Sequence, residues 1–160
     1  ISDTVTVMVS QNFGAGYVQR IEAFLKLASS LVAITSATFI WLLLTMSEEM
    51  ISMFVDEQNS AEMILLAKEF LPFIWPVFLF VGFNMLVSGY LTAVHQPFES
   101  GVIALLRSLV LPAGFLLLFY FLLSDYEFVV ALSVAEGIAF FIAAALFFRQ
   151  RPSEVLRSSR

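Results

Sequence analysis

Apolar residues fill long stretches of this chain, and polar residues gather between them. Four stretches, at 23–46, 70–94, 101–123 and 127–148, lack both the alternation of a half-buried strand and the narrow stripe of a surface helix. At about 1.5 Å per residue, 127–148 reaches roughly 33 Å, enough to cross a hydrocarbon core of about 30 Å. In lipid every backbone N–H and C=O must find a partner within the fold, so these stretches predict four transmembrane helices. The same constraint decides the opening residues, ISDTVTVMVS. Their alternation alone reads as a strand, but an unpaired strand has no support in lipid, so they predict the end of a preceding helix. Ile1 is not an initiator Met and no signal-peptide pattern opens the chain, so the sequence is expected to start inside a longer protein.

The punctuation between the stretches is specific. Residues 11–20, QNFGAGYVQR, predict a tight turn at Gly14-Ala15-Gly16 with Arg20 at the membrane face. Glu22 and Lys26, one turn apart, can pair at the start of the first span, and Trp41 suits the interface at its far end. The segment 47–63 is rich in acids and has no base; Ser47 is expected to cap a short amphipathic helix carrying Met50, Ile51 and Phe54. Asn59 and Glu62 resemble a capping box, so the next helix is expected from near Ser60 to about Val94. That is over about 50 Å, too long for one straight crossing, and Pro72 and Pro76 predict a kink. Within it Gly82, Gly89 and Ala93 form a small-residue face for close helix approach, while Asn84 and Ser88 form a polar one. After the connection HQPFES, the third span carries Arg107 about two turns inside its start, in reach of the interface or of Glu99. Pro112 and Gly114 predict a bend further on, and 149–160 reads as a basic, polar tail.

Composition agrees with a membrane protein: 60% of the residues are hydrophobic and 13% charged, with a mean hydropathy of +0.92, against about 25% charged in soluble domains. The absence of cysteine excludes disulfides and thiolate metal sites. A net charge of −5 gives no argument for nucleic-acid binding, and no nucleic-acid partner is expected. In the four-span arrangement Arg20, Lys26, Arg107, Arg149, Arg151, Arg157 and Arg160 share one side, and Lys68 alone lies on the other. That bias predicts a cytoplasmic C-terminus.

No catalytic constellation is visible and no enzyme activity is expected. The single histidine, His95, has neither a cysteine nor a second histidine to share a metal with. The specific feature is Glu136, an acid near the middle of the last span. An isolated carboxylate at that depth costs a few kcal/mol or more, so it must hold a partner, a proton or an ion. It marks an ion or substrate pathway or, alternatively, a protonated structural glutamate tied to a neighbouring helix. Asn84 and Ser88 are the polar groups expected near it.

Several stretches together resemble the MATE family of multidrug and toxic-compound extrusion transporters, in particular its bacterial members: SQNFGAGYVQR at 10–20, MFVDEQNSAEMILLAKEFL at 53–71, GYLTAVHQPFESGVIALLRSLVLPAG at 89–114 and VAEGIAF at 134–140. The resemblance implies an all-α integral membrane fold: a bundle of four transmembrane helices plus the end of a preceding one, part of a twelve-helix transporter of two lobes. Residues 1–160 would be most of the C-terminal lobe, from the end of helix eight to helix twelve, with the N-terminal lobe elsewhere in the same chain. It also implies an inner-membrane antiporter that exports small organic cations, often aromatic, in exchange for Na⁺ or H⁺ by alternating access, with no other cofactor and the lipid bilayer as its surroundings. Family members that bind the ion in this lobe often use an acid on the helix matching 70–94, where this sequence has Asn84. A flippase of the same superfamily moving a lipid or lipid-linked glycan, and a non-transporting membrane scaffold subunit, are the alternative readings.

Overall fold

The computed structural model describes residues 2–53, 60–123 and 127–158, and every element among them is helical. Helix α1 (Ser2–Gly14) occupies the segment whose alternation suggested a strand. Val5 and Val9, four residues apart, are buried while Val7 is exposed, so the helical period governs which side chains reach the core. The chain then reverses. Gly16 adopts a left-handed φ of 73° that a side chain would strain, and the N–H of Gly16 and of Tyr17 close the helix end on the carbonyls of Phe13 and Asn12.

Helix α2 (Val18–Thr45) starts earlier than the expected 23 and is long enough to span a membrane. It buries one stripe, Ile21, Leu25, Ala28 and Val32, and exposes Leu27, Ile34 and Trp41. Such an apolar flank calls for cover by lipid or by another protein surface. Helix α3 (Ser47–Ser52) is the short helix expected there, but Ser47 is its first residue and the capping position belongs to Met46, which has no side-chain oxygen to offer. Phe54 and Asn59, assigned to its apolar face and to the next cap, lie outside the described residues, as does the side chain of Glu62. Lys68 pairs with Glu48 across the α3–α4 junction.

Helices α4 (Ser60–Ile74) and α5 (Val77–Ala93) are the expected kinked span, bent by 56° at Trp75-Pro76. Pro72 stays inside α4, and the break falls at Pro76, which cannot donate a backbone hydrogen bond. Ser133 Oγ donates to the carbonyl of Phe73 near this break. Helix α5 is the axis of the bundle, packed by α1, α2, α6 and α8. A Cβ on Gly82 would sit 2.7 Å from Val32 Cγ1, and one on Gly89 would sit 2.7 Å from Ser2 Oγ and 3.2 Å from the Ser2 carbonyl. The small-residue face thus accepts α2 at one level and α1 at another.

The third span begins at Pro97, not Gly101: α6 (Pro97–Leu105), a π-helical turn (Leu106–Val110) and α7 (Leu111–Leu122) form one continuous run. Proline fits the first helical position because the N–H it lacks there has no helical acceptor. Starting four residues earlier moves Arg107 deeper, about 15 Å from the helix start. It therefore does not serve as the interfacial anchor expected of it.

Helix α8 (Val130–Arg149), preceded by a 3₁₀ turn (Glu127–Val129), lies against α5 and α7. Its buried Ala131, Ala135, Ala139 and Ala143 recur every four residues and bring its backbone close to its neighbours. The tail is not wholly solvated. It turns at Gln150, whose carbonyl accepts from Tyr90 Oη, and α9 (Pro152–Ser158) folds back on α2 with Pro152 and Val155 buried. Among the described residues three helices are long and apolar enough to cross a membrane, four with the bent pair as one span.

Candidate functional site

Glu136 sits on the face of α8 that meets α5 and the π-helical turn. Its neighbours on α8, Ala135 and Gly137, are small, and a Cβ on Gly137 would already touch the ring of Phe80, so helix approach leaves the carboxylate enclosed. Asn84, fully buried on α5, donates from Nδ2 to Glu136 Oε2 at 2.7 Å and to the Glu136 backbone carbonyl at 3.0 Å. Arg107 donates from Nε and Nη2 to Glu136 Oε1, both at 3.3 Å. The side chains of Arg107 and Glu136 are 19% and 11% exposed, so the pair is largely withdrawn from solvent.

The arrangement answers the cost that the sequence raised. Arg107 and Asn84 both donate to the carboxylate, so both of its oxygens have partners at that depth. The two oxygens are held unequally. Oε2 has one short bond from a neutral amide, whereas Oε1 has two contacts longer than the roughly 2.7–2.9 Å of a good charge-assisted bond and lacks the fork-to-fork geometry of an optimal arginine–carboxylate pair. Asn84 Oδ1 is buried and has no hydrogen-bond partner among the described residues.

Two of the three expected site residues, Glu136 and Asn84, therefore meet. Ser88 does not join them. One turn along α5, its Oγ lies 3.0 Å from Ser100 Oγ, and Ser100 also donates to the Ser88 carbonyl and contacts Thr92 Oγ1 at 2.7 Å. These hydroxyls tie α5 to α6 close to the His95 turn. His95 itself has a φ of 60° and meets Phe13 edge-on, as a turn residue.

Ser88 reaches the site by another route. With Ser2, Asp3, Thr6, Thr92 and Arg107, and beside the apolar Val7 and Met85, it lines a groove of about 440 Å³. Arg107 stands between this groove and the buried Glu136. Sequence reasoning missed both Arg107 and Asp3: Arg107 was set at the interface by a helix start placed four residues too late, and Asp3 stands in a segment with no other charge to mark it.

The MatE family model matches residues 1–118. The chain belongs to the MatE family. The matched part of this MatE chain runs from α1 into α7 and contains Asn84, Ser88 and Arg107, while Glu136 lies beyond it on α8. No curated protein and no solved structure matches the chain. Membership makes it a multi-pass membrane protein of a transporter superfamily, consistent with its long apolar helices.

Proposed function

We propose that this MatE chain is the greater part of the C-terminal lobe of an inner-membrane antiporter that exports organic cations in exchange for Na⁺ or H⁺, with its C-terminus in the cytoplasm. Glu136 is the ion-bearing group, Asn84 its neutral partner, and Ser88 part of the path leading to it. The observation that carries this reading is the carboxylate itself: buried among membrane helices, it is held by one amide and by one loosely placed guanidinium. Intramembrane acids in transporters mark ion and proton routes, because a carboxylate there binds a cation or a proton strongly in exchange for its lost hydration. A half-rotation of the Asn84 amide would replace its N–H donors with Oδ1, an oxygen suited to a hard cation.

The base distribution supports the orientation. With Arg107 withdrawn into the membrane, Arg20, Lys26 and the tail arginines still outnumber Lys68 across the bilayer. The groove favours cation export over movement of a polyanionic lipid headgroup, because it carries one carboxylate, Asp3, and one guanidinium already engaged by Glu136.

The test is Glu136→Gln in the complete transporter, scored by drug resistance of expressing cells and by ion-dependent efflux. The variant should be inserted normally and lose ion-dependent export. Unchanged resistance and unchanged ion dependence would remove Glu136 from the mechanism.

A further inference from the structure

Arg107 has a position that the transport reading leaves unused. It lies inside the π-helical turn Leu106–Val110, touches Glu136 on one side and lines the groove on the other. Resting on the assignment of Glu136 as the ion-bearing group, we propose that Arg107 is a tethered cation. Its guanidinium occupies Glu136 while neither coupling ion nor organic cation is bound. An arriving cation displaces it into the groove, where Asp3 becomes its counter-charge and the hydroxyls of Ser88 and Thr92 its acceptors.

Four features carry the inference. First, the contacts to Oε1 at 3.3 Å are long for a charge-assisted pair, while Oε2 is held independently by Asn84, so the arginine can leave without releasing the carboxylate. Second, the arginine sits on a π-bulge, a helix defect with one residue too many per turn, frequently found at functional sites. Pro112, two residues beyond the turn, withholds the N–H that would otherwise stiffen its end. Resolving such a bulge into α-helix rotates flanking residues by about 100°, the angle of one helical residue. That is enough to take a side chain from one neighbour to the next.

Third, the arginine and Glu136 each have a counter-charge in both positions. With the arginine at Glu136 the pair is neutral and Asp3 stands exposed at the groove. With a monovalent cation at Glu136, the displaced arginine is neutralised by Asp3. Neither arrangement leaves a buried charge without a partner, the condition that makes an intramembrane arginine costly. Fourth, the receiving groove exists, with room for a guanidinium and with Asp3, Thr6, Ser88 and Thr92 on its walls. Arg107 is thus a positioning residue: it keeps Glu136 from standing empty, and so couples departure of one cation to arrival of the next.

The experiment is ethidium efflux by the complete transporter, titrated with Na⁺ at fixed pH and with H⁺ at fixed Na⁺. The ion that drives wild-type efflux is the one scored. Arg107→Gln removes the competitor, so half-saturation should fall about tenfold or more, the scale of one lost hydrogen bond to a charged group. Arg107→Lys, which keeps a tethered cation, should restore half-saturation to near the wild-type value. Asp3→Asn, an exposed substitution that leaves the core intact, removes the acceptor of the displaced arginine and should raise half-saturation by a similar factor. Folded Arg107→Gln with unchanged half-saturation overturns the proposal. If Arg107→Gln does not accumulate in the membrane, Asp3→Asn decides: unchanged ion dependence overturns the proposal and a rise supports it. Glu136→Gln separates the two claims, because loss of ion dependence there, with none of the Arg107 or Asp3 shifts, removes the tethered cation and leaves the transport reading standing.

Discussion

Removing Arg107 and Glu136 singly and together measures how far the membrane helices depend on their ion pair. Breaking a fully buried pair by deleting one partner costs about 3–5 kcal/mol, because the other charge is stranded. Three features reduce that here. The arginine is 19% exposed and faces a groove, both contacts are 3.3 Å, and hydrogen bonds between membrane helices average only about 0.6 kcal/mol in coupling. Arg107→Gln should therefore destabilise by about 2 kcal/mol, since Glu136 keeps Asn84 but loses its counter-charge. Glu136→Gln should cost about 1 kcal/mol, because the arginine can turn into the groove. The double variant should lose about 1 kcal/mol less than the sum of the two. Unfolding of the purified transporter by SDS titration in mixed micelles gives all three values. Additivity within about 0.5 kcal/mol would refute the reasoning and reduce the pair to a coincidence of two polar side chains.

Other consequences follow from packing and can be read by the same unfolding titration or by yield. Gly89→Ala must push against Ser2 Oγ and the Ser2 backbone, so a loss of about 1–3 kcal/mol is expected, whereas Gly101→Ala, with nothing within 4 Å of its Cβ, should be neutral or stabilising. Val155→Asp places a charge where α9 closes on the core, and should loosen the tail, seen as faster proteolysis near Gln150 with the spans unaffected. Ser100→Ala removes the group shared by Ser88 and Thr92, and should cost about 1 kcal/mol without altering the Glu136 contacts.

Much of the fold was legible because lipid leaves few choices. The strand-like alternation of ISDTVTVMVS lost to the helix for the reason anticipated, backbone satisfaction, and the stripe Val5–Val9 shows it. The kink at the prolines also followed from the missing N–H groups, although two prolines close together left open that Pro76 and not Pro72 would carry the break. The site was legible in part. A lone acid among apolar residues announces itself, and Asn84 was its nearest polar candidate on another helix. Ser88 shares a helical face with Asn84, but that face alone says nothing of which neighbouring helix lies one turn away; Ser100 of α6 does, and its hydroxyl meets that of Ser88. Arg107 was misplaced because helix starts are the least certain feature of a sequence, and four residues are more than a full turn. No sequence pattern marked the π-helical turn that carries it.

The central claim, that Glu136 bears the coupling ion, is tested most directly by ion flux in proteoliposomes containing the complete transporter. Na⁺ and H⁺ movements are recorded while an outward ethidium gradient discharges, for wild type and for Glu136→Gln. Inward movement of one ion with wild type, and none with the variant, is the result expected here. Equal ion movement by both would contradict it and transfer the coupling to a carboxylate elsewhere in the protein.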